Sequence, residues 1–500
     1  MKQLSGLDAA FLYAEDSHQP QHIGSLGIYD PSTAPNGQAS FEATLQSIID
    51  RAYLAPLMRQ KLVTVPFNLD HPLWVRVDDF DVSYHIHHLA LPSPGNWEQL
   101  RTLVSQLHEG PLDRSHPLWQ LYLIEGLTDI DGIPQDATAV YSKIHHAALD
   151  GVAAVQLANV THDLTPEGDV KPEPGPWSEE HEPYAWELLA RAQLNNSLQR
   201  IRYADFLQNA APKLVNTLLG VGTGRLRLPQ LPPRTRFNSS VSTHRVFDGI
   251  MTRLDDLRAI KASVPGATIN DVVLALCGGA LRKYLESKGE LPDQPLLAMA
   301  PISVRSKDQE DTAGNQISEM TVSLCTDTDG ALQRLQAVTE GTIKTKQFIR
   351  TIGASTLTQY SQFIPAAMAA ATARLTRQLN LTDAIQQPAN CVVTNVHGSP
   401  VPLYSLGSQL IQSWGAGPLL DGTGLFHSVG SYCGDVTISA TSCPEMMPDP
   451  AFYMEGMQET LDELRSQTVE RKSTVSMVRK EAVRAPEQVH EVSVTEPAAA

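Results

Sequence analysis

An acidic, proline-rich stretch between Asp163 and Glu187 divides the 500-residue chain and constrains its fold more than any other feature. Its acidic residues and prolines are Glu167, Asp169, Glu173, Glu179, Glu180 and Glu182 with Pro166, Pro172, Pro174, Pro176 and Pro183. Such a composition buries little apolar surface and predicts a solvated connector. Strand and helix patterns alternate before it and resume after residue 241. The sequence therefore predicts an α/β (α+β) protein of two halves, each a mixed sheet with helices.

The predicted organisation has four parts. Residues 1–163 form the first half, residues 164–240 the acidic connector and a helical crossover, and residues 241–470 the second half. Residues 471–500 are polar with few aromatics, which predicts a disordered tail. Alternating patterns predict strands at 22–30, 81–91, 117–124, 137–143 and 245–251. Amphipathic patterns predict helices at 40–59, 97–108, 254–262 and 269–288.

A long stretch from Thr342 to Ile385 has a helical period that Gly353 and Pro365 interrupt. Its apolar residues and the arginines that flank them leave two interpretations open. The pattern favours a pair of helices packed in the core. The alternative is a helix that lines an acyl site or lies on a membrane surface.

Charge and cysteine usage exclude several classes of protein. The formal net charge of −17 argues against a nucleic-acid partner, which would require a basic surface. The five cysteines are scattered and include no C-x-x-C pair, which predicts reduced thiols in a cytosol-like compartment. The N-terminus lacks a signal-peptide core, and no apolar run reaches the roughly 18 residues of a membrane span. We expect a cytoplasmic protein, or one peripheral to the inner membrane or to lipid inclusions.

A histidine pair, His145 and His146, lies where a predicted strand meets a predicted helix, and Asp150 and Gly151 follow it. A strand-to-helix turn can hold an imidazole at a fixed position, where it can take a proton from a hydroxyl or an amine. The spacing H-H-x-x-x-D-G therefore indicates a general base for acyl transfer. The acid would hold the turn in place, and the glycine would permit its backbone geometry.

Competing chemistries have weaker support in the sequence. There is no G-x-S-x-G nucleophile elbow, and the glycine-rich residues 220–224 lack the strand and the Lys-Ser/Thr of a phosphate-binding loop. Adjacent histidines on a strand point to opposite faces and do not readily share a metal ion. His85 and His87 would share a strand face, but two ligands make an incomplete metal site. We therefore predict no metal.

The His145-His146-x-x-x-Asp150-Gly151 motif resembles the signature of the acyl-CoA-dependent acyltransferase superfamily, which includes chloramphenicol acetyltransferase, plant acyltransferases and peptide-synthetase condensation domains. Further stretches resemble, in the same order, the bacterial bifunctional wax ester synthase/acyl-CoA:diacylglycerol acyltransferases. They are Leu4 to Tyr13, Pro117-Leu118-Trp119, Asn270 to Ala275, Pro301 to Arg305 and Gly314-Asn315. The resemblance extends from residue 4 to about residue 450 and omits the acidic connector.

This resemblance implies two chloramphenicol-acetyltransferase-like halves with an active-site tunnel between them. It implies that His146 is the general base that deprotonates a long-chain fatty alcohol or a diacylglycerol, with acyl-CoA as the acyl donor and no covalent acyl-enzyme. His145 would support His146. Asp150 would be structural, with Arg305 as its partner, and Gly151 would belong to the same turn.

The resemblance also implies roles outside the histidine motif. Asn270 would hydrogen-bond the substrate or the oxyanion, although an asparagine at this position also suits a helix N-cap. Pro117, Leu118 and Trp119 would shape the apolar channel. No cofactor is implied, because the thioester already stores the driving force.

The sequence leaves two alternatives open, one within the same superfamily and one from a different class of protein. One is a free-standing condensation domain that joins carrier-bound acyl or aminoacyl groups, since it would carry the same histidine motif. The other is a non-catalytic lipid-surface protein on an acyltransferase scaffold. The intact His146, Asp150, Gly151 and Asn270 favour the enzyme.

Overall fold

The computed structural model describes residues 1–34, 37, 39–77, 81–149, 151–173, 180–198, 231–303, 317–352 and 387–484, with a few isolated positions between 366 and 375. Two predicted site residues, Asp150 and Arg305, lie outside the described residues. So does most of the predicted amphipathic stretch after Ile352.

The first half contains seven strands and four helices in its described part. They are β1 (Lys2–Gln3), α1 (Gly6–Ala14), β2 (His22–Asp30), α2 (Phe41–Arg51), β3 (Gln60–Val63), β4 (Leu73–Arg76), β5 (Ile86–Ala90), α3 (Trp97–Glu109), β6 (Trp119–Leu127), β7 (Ala137–His145) and α4 (Gly151–Thr161). Short 3-10 turns link several of them, including 82–85 and 146–148.

The first helix after α4 in the described part of the chain is α5, which is helical over 185–198. It is followed by β8 (Val246–Arg253), α6 (Leu254–Ala262), α7 (Ile269–Ser287), β9 (Leu297–Ser303), β10 (Ile317–Ser323), α8 (Ala331–Ile352), β11 (Cys391–His397), β12 (Tyr404–Ser405), β13 (Ser408–Ala416), β14 (Leu425–Tyr432), β15 (Asp435–Ser442) and α9 (Pro450–Arg484).

Two six-stranded mixed sheets organise the described residues. The N-terminal sheet has the order β12-β13-β2-β7-β6-β5, and the C-terminal sheet has the order β10-β9-β11-β14-β15-β8. Each combines parallel and antiparallel pairs, since β5 runs parallel to β6 and β11 runs parallel to β9 and β14. A small sheet, β1-β4-β3, lies beside them. The predicted fold class, a mixed α/β protein with two sheet-containing halves, is confirmed.

The halves do not separate cleanly along the sequence, because the N-terminal sheet includes two strands from beyond residue 400. Strand β13 pairs antiparallel with β2 along most of its length, and β12 continues that edge. A boundary drawn at 241 therefore leaves the first sheet incomplete. The antiparallel contact of β13 with β2 joins the two halves through backbone hydrogen bonds as well as side chains.

Strand β7 packs against apolar residues on both faces. Ala139 and Tyr141 point to one face, where they pack with Leu100 of α3. Ile144 points to the other face, where it packs with Val160 of α4. Because side chains alternate along a strand, His145 shares the α3 side with Tyr141. Packing on both sides fixes the end of β7 and with it the histidine pair.

Helix α7 forms the centre of the second half. Its residues from Val272 to Leu281 are fully buried and pack in one continuous core with the C-terminal sheet and with α9. A helix that is apolar on all sides needs partners on all sides, which α6, α8, α9 and the sheet provide. This packing fixes the first turn of α7, where Asn270 lies.

Some predicted boundaries are wrong. The helix predicted to reach residue 59 ends at Arg51 and continues as 3-10 turns, because Pro56 cannot continue it. The tail predicted to be disordered from 471 is helical up to Arg484. No described helix is long and apolar enough to span a membrane. All five cysteines are free, as predicted.

Candidate active site

The histidine pair lies at the end of β7, on a turn that three backbone hydrogen bonds hold. The His145 N–H donates to the Leu118 carbonyl at 3.0 Å, and the His146 N–H donates to the Gln21 carbonyl at 2.8 Å. His146 opens the 3-10 turn 146–148, which the Leu149 N–H closes on the His146 carbonyl at 3.2 Å. Helix α4 then begins at Gly151. The predicted strand, turn and helix are therefore confirmed around the motif.

The His146 imidazole is half-buried and lies flat against the ring of Phe11, with 3.7 Å between ring centroids and 12° between planes. Burial lowers the pKa of His146 to about 4. A hydrogen bond between the ring and the residue's own backbone raises this pKa but does not offset the effect of burial. His145 lowers it further. The ring is therefore neutral near pH 7. Because only Nδ1 can reach the residue's own backbone, Nε2 is the nitrogen left for a substrate.

His145 points away from Phe11 into the protein interior and is fully buried. Its Nδ1 accepts a hydrogen bond from the Ala147 N–H at 3.0 Å, so the ring caps the 3-10 turn. Its Nε2 lies 3.4 Å from Oε2 of Glu15. These contacts give His145 a structural place within the turn that carries His146.

Sequence reasoning missed Glu15, which closes the C-terminal end of α1. Its Oε1 lies 3.5 Å from Nε2 of His22, and its Oε2 accepts a 3.0 Å hydrogen bond from Nε of Arg114. Burial would raise the pKa of Glu15, but His145, His22 and Arg114 outweigh it and hold that pKa well below its usual range. No local pattern in the sequence marks this contact, because it arises only when β2 pairs with β7 and sets His22 opposite His145.

Further polar groups continue this buried cluster toward α3. His108 contacts the Tyr141 hydroxyl at 2.7 Å through Nδ1 and the Gly417 carbonyl at 3.1 Å through Nε2. Lys143 donates to the carbonyls of Leu107 and Gly110. Burial lowers the pKa of His108 well below its usual value and that of Lys143 to about 8.

A segment of the second half, residues 417–421, lies beside the histidine turn. Gln21 donates from Nε2 to the Leu419 carbonyl at 3.2 Å. The backbone carbonyl of Gln21 accepts the hydrogen bond from the His146 N–H. The Asp421 N–H donates to Oε1 of Gln19 at 3.0 Å. The turn is thus tied to both halves.

Asn270 lies in the first turn of α7, but it is not the N-cap. Thr268 caps the helix, because its hydroxyl oxygen accepts from the Asp271 N–H at 3.2 Å and its N–H donates to the Asp271 carboxylate at 2.7 Å. The capping interpretation of Asn270 is therefore wrong. The Asn270 side chain is half-buried, and it makes no hydrogen bond within the described ranges.

The residues Pro117-Leu118-Trp119 pack close behind the turn. Leu118 and Trp119 are each 1% exposed. Leu118 packs with Leu12 and Ala147, and Trp119 donates from Nε1 to the Met58 carbonyl at 3.1 Å. All of these described contacts are core contacts. A role for the three residues in shaping a channel stays a prediction.

The second histidine cluster is structural in its described contacts. His85 belongs to the 3-10 turn before β5 rather than to the strand, where it stacks on Trp119 with 4.4 Å between centroids. The prediction that His85 and His87 share a strand face is therefore wrong. His87 stacks on Tyr122. No cluster of three potential metal ligands occurs among the residues that the structure covers.

Comparison with known proteins identifies the fold. Residues 4–273 match the wax ester synthase/diacylglycerol acyltransferase catalytic domain, and residues 313–465 match the WS/DGAT C-terminal domain. A solved wax ester synthase/diacylglycerol acyltransferase from Marinobacter aquaeolei has a TM-score of 0.66 and 26% identity, covering 94% of this chain and 100% of its own. A starter condensation domain of rhizomide synthetase, at 15% identity and a TM-score of 0.50 over 94% of this chain and 95% of its own, shares the fold.

Two curated relatives align over nearly the whole chain. A putative diacylglycerol O-acyltransferase of Mycobacterium tuberculosis is 34% identical over 469 residues, covering 93% of this chain and 90% of the relative. The O-acyltransferase WSD of Acinetobacter baylyi is 31% identical over 463 residues, covering 90% of this chain and 93% of the relative. The chain therefore belongs to the wax ester synthase/diacylglycerol acyltransferase family and is an O-acyltransferase.

Proposed function

We propose that this protein transfers a long-chain acyl group from acyl-CoA to a fatty alcohol or a diacylglycerol, with His146 as general base. The observation that carries the proposal is the neutral imidazole of His146, held at a strand-to-helix turn and stacked on Phe11. A neutral, positioned imidazole can accept a proton, whereas a protonated one cannot. The relatives named as diacylglycerol O-acyltransferases and as WSD support this substrate class.

In the proposed reaction, Nε2 of His146 takes the hydroxyl proton as the acceptor oxygen attacks the thioester carbonyl. The new C–O bond forms and the carbonyl π electrons move to oxygen, which gives a tetrahedral oxyanion. The C–S bond then breaks, the carbonyl re-forms, and His146 returns the proton to the CoA sulfur. Ester and CoA thiol leave, and the imidazole is neutral again. No covalent acyl-enzyme is required.

We assign stabilisation of the oxyanion to the amide N–H of Asn270. This assignment rests on its place in the first turn of α7, where helix dipoles favour negative charge. An amide donor aimed at a developing oxyanion contributes about 2.7–4 kcal/mol in comparable enzymes. Base and donor together suffice for acyl transfer from a thioester, so the proposal includes neither a cofactor nor a metal.

The experiment that tests this function measures CoA thiol release from palmitoyl-CoA with hexadecanol, with dioleoylglycerol and with neither acceptor. The lipid products are identified by chromatography. We expect release that depends on acceptor, with the corresponding wax ester or triacylglycerol formed. The ratio of the two rates ranks the acceptors.

His146→Ala is the decisive variant, and we expect it to abolish ester formation. His18→Ala is the matched control, because His18 is an exposed histidine whose side chain is 65% accessible. Release that ignores both acceptors, or that survives in His146→Ala, would contradict the proposal and favour a condensation or lipid-binding role.

A further inference from the structure

A single buried carboxylate, that of Glu15, organises the polar groups behind the histidine pair. Its side chain is 6% exposed, and the four groups around it divide evenly between its oxygens. Oε1 accepts from the Gln21 N–H at 3.2 Å and faces His22. Oε2 accepts from Arg114 and faces His145.

Two of these four groups, the rings of His22 and His145, have few other hydrogen-bond partners. His22 is fully buried, and neither of its ring nitrogens makes a regular hydrogen bond within the described residues. The same holds for Nε2 of His145, whose Nδ1 is occupied by Ala147. Glu15 is the anionic group that faces both rings. A buried polar group without a partner costs about 1–3 kcal/mol, so the carboxylate is the main polar constraint on where these rings lie.

Two short paths lead from Glu15 to the backbone of His146. In the first path, Oε1 of Glu15 accepts a hydrogen bond from the Gln21 N–H, and the Gln21 carbonyl accepts one from the His146 N–H. In the second, Glu15 faces His145, whose other nitrogen caps the turn at Ala147. Both paths end on the turn that aims the His146 ring.

Helix α1 adds a third connection to His146. Phe11, the platform on which the His146 ring stacks, lies one helical turn before Glu15, and the Glu15 N–H donates to the Phe11 carbonyl at 3.0 Å. Helix α1 and its C-cap therefore supply both the Phe11 ring that stacks on His146 and the Glu15 carboxylate that faces His145. Arg114 fastens the end of that helix, since it donates to Glu15 and to the Leu12 carbonyl at 3.0 Å.

We infer that Glu15 is a positioning residue for acyl transfer, which acts mainly through His145 to fix the orientation of His146. This inference rests on the proposed function of His146. Glu15 is not required to touch substrate. A displacement of the base by about 1 Å can cost on the order of a hundredfold in rate, so loss of this anchor would appear in kcat.

The test compares Glu15→Gln, His145→Asn and the double variant with the wild type in the palmitoyl-CoA assay. The glutamine keeps the size of the side chain but removes the charge. The asparagine keeps an acceptor for the Ala147 N–H but removes the nitrogen that faces Glu15. We expect kcat to fall by roughly tenfold or more in Glu15→Gln, with the KM for palmitoyl-CoA within about twofold of the wild type.

The double variant separates positioning from an independent structural effect. If Glu15 acts mainly through His145, the double variant loses about as much kcat as the more impaired single variant. Losses that multiply, or a kcat of Glu15→Gln equal to that of the wild type, would overturn the inference. If Glu15→Gln does not fold, Arg114→Met replaces it, with a lower kcat expected and an unchanged kcat overturning the inference.

Glu125→Gln provides the matched control. Glu125 also faces a histidine, His88 at 3.1 Å, but both side chains are more than a third exposed at the edge of the N-terminal sheet. We expect its kcat to equal that of the wild type. Wild-type turnover is measured first: an inactive wild type contradicts the proposed function, whereas an active wild type with an unaffected Glu15→Gln contradicts only the positioning role.

Discussion

The ring of Phe11 lies parallel to the imidazole of His146, with 3.7 Å between their centroids. This contact joins two motifs that are far apart in the sequence, the opening stretch and the histidine pair. The flat contact covers one face of the imidazole and restricts rotation about its side-chain bonds. It also excludes water from that face, consistent with the burial that lowers the pKa of His146.

Replacing Phe11 with leucine should reduce kcat without unfolding the protein. Leucine keeps apolar bulk but loses the ring stack, which is worth about 0.5–1.5 kcal/mol. If the stack holds the reactive orientation, this corresponds to roughly a twofold to tenfold loss of kcat in the palmitoyl-CoA assay. Phe41→Leu is the control, because Phe41 also stacks on a histidine, His88, with 5.2 Å between centroids. Equal rates in both variants would argue against the platform role.

The pH dependence of kcat/KM should report the low pKa of His146. Activity requires the neutral ring, which loses its capacity to accept a proton only as the pH falls through a pKa of about 4. We expect kcat/KM to stay constant from pH 8 down to about 5.5, where a histidine with the ordinary pKa of about 6.5 would already be mostly protonated.

The measurement is a series of initial rates in buffers of equal ionic strength. Circular dichroism at each pH ensures that the protein remains folded. A half-maximal point near pH 6.5 would contradict the burial of the His146 ring in the free enzyme.

The local structure around the motif was predictable because the periodic patterns there are strong. Strand β7 and helix α4 form where alternation and helix propensity place them, and α6 spans the predicted residues 254–262. Boundaries were wrong where a local feature overrides the period, as at Pro56 after α2. The type of each element follows from side-chain periodicity, which is encoded locally.

The partners of the site were not predictable in the same way, because they depend on pairings between distant segments. Glu15 reaches His145 only after β2 pairs with β7 and α1 folds across their ends. The insertion of β13 beside β2 joins residues almost 400 positions apart, and nothing local in either strand specifies that partner. A carboxylate that follows a short helix also looks like an ordinary solvated residue until its burial is known.

We expect the association of the two halves, and with it the stability of the protein, to depend strongly on Asp248 of β8. Its carboxylate accepts from Nε1 of Trp97 at 2.9 Å and from Arg101 at 2.6 Å, and it thereby ties α3 to the C-terminal sheet. Asp248 is 5% exposed, and removing one partner of a buried ion pair costs about 3–5 kcal/mol. We expect Asp248→Ala to lower the Tm markedly in a thermal melt.

The control for Asp248 is Asp255→Ala, which removes an exposed ion pair with Arg258 at 2.9 Å. Surface pairs of this kind contribute about 0–1 kcal/mol, so its Tm should hardly change. A similar Tm for the two variants would show that the Asp248 contacts do not stabilise the association of the halves.

The first turn of α7 should separate stability from catalysis at two nearby residues. Thr268 caps the helix through Asp271, so Thr268→Ala should cost about 1 kcal/mol of folding free energy. Its kcat should be largely retained.

Asn270 contributes no cap, so Asn270→Ala should leave the Tm close to that of the wild type. If its amide stabilises the oxyanion, however, kcat should fall on the order of a hundredfold. Thermal melts and palmitoyl-CoA turnover measured on the same preparations check both expectations. A destabilised Asn270→Ala with normal kcat would return Asn270 to a purely structural role, because loss of an oxyanion donor lowers kcat and leaves the folding free energy unchanged.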